Sequence, residues 1–209
     1  MGKKQEQPEK PEKKEKVSIG GISIKTFRLT LKGTSPLICH KFSDRAQDAM
    51  LAKQMKTADR KVGKETKNPH RDYEESLYVL KDGRYGFPIS GFKNAAVDAC
   101  SFMDGMKKVV MRGAFHIVDE HEGLAVIKGT PRMRKDNVRV GMGTADIRYR
   151  GEFPIGWQTT LVVKYNENAV SIPQICQLFN AAGFGVGVGD WRPQKDGSYG
   201  MFEVANNDS

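Results

Sequence analysis

The stretch from Val109 to Tyr165 most constrains the fold, because its apolar residues come in short runs separated by turn and charged residues. Phe115-His116-Ile117-Val118, Ala125-Val126-Ile127, Val138-Arg139-Val140 and Thr160-Leu161-Val162-Val163 each read as a strand. The segments on either side supply helices to cover such a centre. Ser43 can cap a helix running to about Asp59, and Ser90 a second one with Phe92, Ala95, Ala96, Ala99, Cys100 and Met103 on one side and Gly105 at its end. Ser171 with Gln174 forms a capping box that opens a third helix. Its stripe is Ile172, Ile175, Leu178, Phe179 and Ala182, and Gly183 is its expected stop. A first strand spans Ile22 to Leu31, with a phase slip near Lys25-Thr26 that suggests a bulge, and a last strand lies near Tyr199 to Val204. Tyr73 to Leu80 reads equally as a short helix or a strand. The order is α+β with mostly antiparallel strands.

Residues 1–20 form a charged tail that is expected to be disordered: residues 1–16 contain no aliphatic side chain after Met1. Residues 21–205 are expected to form one domain, with a β-rich insertion over about 109–165. The chain of 209 residues carries a formal net charge of +9. Six Lys against four Glu in residues 1–16 account for +2 of it, so most of the excess belongs to the body and favours a polyanionic partner. Cys39, Cys100 and Cys176 are far apart, with no paired spacing, and read as buried free thiols in a reducing cytoplasm. No apolar run is long enough to span a bilayer, so no membrane partner is expected.

Three regions carry candidate chemistry. The first is a basic loop over 53–71, with Lys61, Lys64, Lys67 and Arg71 and breaks at Gly63 and Pro69. The second, Lys128 to Arg150, holds seven cations with Asp136 and Asp146 among them. Arg132 and Arg134, like Arg148 and Arg150, are two residues apart, which on strands places each pair on one face, while Met133 and Tyr149 point the other way. A row of guanidinium groups, with Arg139 beside it, can follow a phosphate backbone. The third is the run Gly183 to Gly189, with a glycine at every second position, followed by Asp190, Trp191, Arg192 and Lys195. That spacing follows a helix and matches neither a dinucleotide fingerprint nor a phosphate-binding loop, so no cofactor is expected. Glycines there allow close backbone approach; Trp191, and likewise Tyr149 and Trp157, are stacking candidates, with a core anchor the alternative for Trp191. His116 and His121 bracket Asp119 and Glu120 without a metal-site spacing, so no metal is expected. His40 and Asp44 are the weak catalytic candidates, His40 as a general base.

Three segments in order resemble the RAMP proteins, the backbone subunits of CRISPR effectors. They are Phe27 to Leu31 leading into Gly33-Thr34-Ser35-Pro36-Leu37, then Phe87-Pro88-Ile89-Ser90-Gly91-Phe92-Lys93-Asn94-Ala95, and the glycine-rich loop that reaches Gly197-Ser198-Tyr199-Gly200-Met201-Phe202 before the final strand. The resemblance is to the Cas-seven type or a stand-alone viral or phage relative. It implies a modified RRM, or ferredoxin-like, antiparallel sheet with helices on one face, and subunits that stack as a homo-oligomer or filament along single-stranded nucleic acid. It also implies that Ser90 and Lys93 face that strand. The expected function is therefore non-catalytic binding of single-stranded RNA or DNA. The alternatives are a metal-independent endoribonuclease and a viral protein-binding or assembly module.

Overall fold

The computed structural model describes residues 22–56, 66–140 and 143–205. The first strand, β1 (Ile24–Gly33), pairs antiparallel with a later strand, Gln158–Asn166, in one unbroken register from Ile24 opposite Asn166 to Lys32 opposite Gln158. The expected bulge is absent: Ile24 is simply exposed at the strand's start. A short second strand, β2 (Leu37–Cys39), is wholly buried. Helix α1 (Asp44–Gln54) is capped by Ser43, which accepts from the Ala46 amide, and it ends well before Asp59. Pro69 starts a helix instead of breaking one: α2 (Pro69–Glu75) has Asn68 as its cap and Pro in its first turn, where no amide hydrogen is needed. The Tyr73–Leu80 segment is thus split between the end of this helix and strand β3 (Tyr78–Val79), which pairs with β4 (Tyr85–Pro88).

Helix α3 (Ile89–Ala99) buries Phe92, Ala95, Ala96 and Ala99, the stripe its spacing predicts. Pro88, not Ser90, sits at its cap; Ser90 lies inside the first turn and is exposed. The strand-rich centre begins later than expected. Lys108–Ala114 is helix α4, because it is Met111 and Ala114, three residues apart, that are buried, while Val109 and Val110 face outward. Then come β5 (Phe115–Ile117), β6 (Leu124–Lys128), β7 (Arg132–Val140), β8 (Thr144–Phe153) and β9 (Gln158–Asn166). Helix α5 (Ile172–Gly185) has the Ser171–Gln174 capping box and runs two residues past the expected stop. Gly183 is a helical residue chosen for closeness: a Cβ there would overlap the backbone carbonyl of Phe202 in the last strand, β10 (Phe202–Val204).

The main sheet has the order β10-β1-β9-β6-β4-β3, with β5 also on β9, and its pairings are antiparallel. Strands β5 and β6 run along the same side of β9, Phe115 opposite Tyr165 and Ile127 opposite Thr159, so together they form one interrupted strand with an excursion in its middle. Taken with α3 and α5, the order β10-β1-β9-β5/β6 is that of a ferredoxin-like βαββαβ core. Leu29, Leu31, Leu161 and Val163 face the helices and share one core with Phe92, Ala96, Leu178 and Phe179. The opposite face is open. The β7–β8 hairpin stands apart from this sheet and pairs with β2 in a separate three-stranded sheet. Trp157 is a core anchor, 2% exposed, its indole NH donating to the Ser35 carbonyl at 2.9 Å, and is not a stacking platform.

Candidate nucleic-acid interface

Strand β2 is the hinge of the site. On one side it pairs with β8; on the other, the glycine-rich loop docks on it, the Asp190 amide donating to the Ile38 carbonyl at 3.1 Å and the Gly200 amide to Pro36 at 2.8 Å. Gly189 makes that contact with φ +79° and has no room for a Cβ beside Ile38. The loop also closes on itself, Val188 donating to Gly200 at 2.9 Å. Between this loop and the start of α3 lies a cleft of about 580 Å³, walled by Gly91, Lys93 and Asn94, by Val186 to Asp190, and by Arg112, Arg192 and His40. Its size is that of an ordinary ligand site.

Two cations in the cleft are available. Among the described residues Arg112, on α4, is exposed and has no ion pair, and the Arg192 side chain bonds only the Gly189 carbonyl at 3.1 Å and the Gln194 side chain at 3.0 Å. Asp98 in the same cleft is matched by Lys108 at 3.0 Å, which holds its carboxyl below the usual range. Lys93 is occupied otherwise. Its ammonium donates to the carbonyls of Met111, Arg112 and Phe115 at the end of α4 and sits 3.5 Å from the centre of the Phe115 ring. Burial pushes its pKa down to about 8.

The hairpin arginines are joined in a chain of alternating charge. Arg132 and Arg134 both bind Glu152, at 2.5 Å each; Arg134 also binds Asp136 at 2.8 Å. Arg150 binds Asp136 at 2.6 Å and Asp190 at 2.5 Å, and Asp190 meets His40 Nδ1 at 3.1 Å. Burial alone would raise the Asp190 and Glu152 carboxyls, but His40 and then Arg150 hold Asp190, and Arg134 and Arg132 hold Glu152, below the usual range. Burial likewise opposes the charge of Arg134, yet its bonds to Glu152, Asp136 and Tyr199 raise its pKa further. Both guanidiniums lie over aromatic rings: Arg134 is 4.6 Å from the centre of Tyr199, and Arg150 is 4.5 Å from that of Trp191.

The sequence-predicted residues therefore separate. Arg132, Arg134, Arg148 and Arg150 do share one face, with Arg134 directly opposite Arg150 and Arg148 opposite Asp136. Arg150, with a side chain 2% exposed, is shut away from any phosphate, and Arg134 is mostly covered. Trp191 has its ring beside these arginines and its backbone in the left-handed region (φ +54°), so it clamps the hairpin to the loop. Arg139 is exposed on the opposite face of the hairpin, the side of Lys135 and Tyr149. Lys195 is exposed at the end of the loop. Lys61 and Lys64 lie outside the described residues. Lys67 pairs with Asp146, and Arg71 sits on α2, so that end of the expected basic loop is structured. Asp44 is exposed and 3.4 Å from Lys41, away from the cleft. The sequence reading missed Arg112 and the neutralising carboxylates Glu152 and Asp190.

No protein-family model and no curated protein sequence matches the chain. Among solved structures, it is similar to a chain of type III-B Cmr-beta bound to cognate target RNA, with a TM-score of 0.53 at 9% identity. That match covers 87% of this chain but 59% of the other, so this chain spans little more than half of its neighbour's length. It is also similar to Cmr6 from Pyrococcus furiosus, with a TM-score of 0.42 at 12% identity, covering 88% of this chain and 100% of that one. With its antiparallel strand order and its helices on one face, the chain shares its fold with this chain of Cmr-beta.

Proposed function

We propose that the chain binds a single strand of nucleic acid, RNA in the first place, along the cleft between the glycine-rich loop and the start of α3, without cleaving it. The observation that carries this reading is that Arg112, from α4, and Arg192, from the glycine-rich loop, both line the cleft and neither has an ion pair among the described residues. Arg139 and Lys195 extend the positive surface beyond the cleft. The Cmr-beta neighbour was solved with target RNA, and its fold supports RNA over DNA. Self-association along the strand belongs to the same reading. The test is oligonucleotide affinity as a function of salt: a wild-type slope of several counterions that falls by about two in an Arg112→Glu, Arg192→Glu variant supports it, and salt-indifferent binding overturns it.

A second reading has one observation in its favour. His40 is held by Asp190 at 3.1 Å at the edge of the cleft, the arrangement that fixes a histidine as a general base. In that reading His40 takes the proton of a ribose 2′-hydroxyl, the freed oxygen attacks the neighbouring phosphorus, and the bond to the 5′-oxygen breaks with a proton from water. Labelled RNA incubated in chelator with wild type and with His40→Ala decides it: cleavage lost in the variant supports the endoribonuclease, and intact RNA in both ends it.

A further inference from the structure

The open face of the main sheet is the other large basic surface, and the cleft does not use it. We infer that it is a separate polynucleotide site suited to a double-stranded backbone. Alternation along β1 and β9 puts Arg28, Thr30 and Lys32 opposite Val162, Thr160 and Gln158 on the side away from the helices. On the same side Lys128 lies beyond Gln158 on β6, and His116 beyond Lys164 on β5. Arg28, Lys128, Thr160 and Val162 together line one shallow depression there.

Lys32, Lys128 and Lys164 are exposed and have no ion pair among the described residues. Two carboxylates share the face: Glu120, 3.9 Å from Arg28, and Glu203, opposite Lys32 on β10. Four cations against two carboxylates leave an excess of positive charge. From Lys32 to Lys128 is two strand spacings, about 10 Å, and from Lys128 to Lys164 about 20 Å along β9. That footprint is comparable with the width of a duplex. The chemistry of the face selects the partner further. Apart from the His116 imidazole at one end, none of Arg28, Thr30, Lys32, Lys128, Gln158, Thr160, Val162 and Lys164 is aromatic, so the face has no row of rings for successive bases and single strands gain little over duplexes. What remains is contact with phosphates and sugar hydroxyls, from lysines acting as point charges and from the Thr30–Thr160 hydroxyl pair at 3.1 Å. The cleft lies on the helix side of the same sheet, so both surfaces can be filled at once.

The experiment measures binding of an RNA duplex of about 16 base pairs and of an unstructured RNA single strand, by fluorescence anisotropy at about 50 mM salt. The proteins are wild type, Lys32→Glu/Lys128→Glu/Lys164→Glu, and Arg112→Glu/Arg192→Glu. The expected result is that the sheet variant weakens the duplex about ten-fold or more and lowers its salt slope by about three, while single-strand affinity changes less than about two-fold; the cleft variant does the reverse. Because the three lysines are exposed and unpaired, a triple Gln variant keeps the fold and gives a smaller loss in the same direction. Duplex affinity unchanged in the sheet variant, duplex binding lost only in the cleft variant, or no duplex binding by wild type overturns the inference. Each of those outcomes leaves single-strand binding at the cleft standing.

Discussion

On the β7–β8 hairpin, Arg132, Arg134 and Arg150 each lie against a carboxylate; on the open face of the main sheet, Lys32, Lys128 and Lys164 have no such partner among the described residues. In the sequence the hairpin is the more conspicuous of the two, with six cations between Arg132 and Arg150. In the fold half of that charge, Arg132, Arg134 and Arg150, is tied to carboxylates. A count of charges along a chain measures density, whereas binding depends on whether a carboxylate reaches ion-pair distance. Glu152 opposite Arg132, Asp136 beside Arg134 and Arg150, and Asp190 from a loop forty residues downstream decide that question here.

The comparison can be broken first at Arg150. If its charge holds the hairpin to the loop, Arg150→Ala leaves Asp190 short of a buried partner and costs about 3–5 kcal/mol, read as a lower denaturant midpoint. A change below about 1 kcal/mol would return Arg150 to the list of free cations. The next largest effect concerns the cleft: Arg112→Glu with Arg192→Glu is expected to lower single-strand affinity ten- to a hundred-fold while leaving the denaturant midpoint within about 0.5 kcal/mol, since neither has an ion pair among the described residues. Acid then tests the network as a whole. The carboxyls of Asp190 and Glu152 sit below their ordinary values in the folded protein, so the stability they contribute is present above about pH 4 and drains away as pH falls through their folded values. Asp190→Asn should flatten that acid limb in urea titrations at successive pH values. The smallest effect is at Arg139, exposed on the far face of the hairpin: Arg139→Ala should leave stability within about 0.5 kcal/mol and lower the salt slope of strand binding by about one.

Features decided by near neighbours in sequence were legible. The capping box of Ser171 and Gln174, the stripe Phe92-Ala95-Ala96-Ala99 and the shared face of Arg132 with Arg134 are all set within four residues. Features decided by distant partners were not. Val109-Val110 looks like a strand until Met111 and Ala114 are seen buried together on α4. Lys93 looks like a phosphate ligand until α4 turns its last carbonyls toward it. Trp157, a stacking candidate in the sequence, is assigned to the scaffold by the bond of its indole NH to Ser35, and Trp191, for which stacking and a core anchor both stand open in the sequence, has its ring against Arg150. Arg112 stands among small and apolar residues in the sequence and joins the cleft through the placement of α4 alone.

The chain of charges from Arg132 to His40 also has a mechanical meaning. A ten-residue strand such as β8 is about 33 Å long, and its root is fastened to the same loop that carries Arg192. A pull on its far end is delivered as torque at Asp190, with the hairpin as the lever and β2 as the fulcrum.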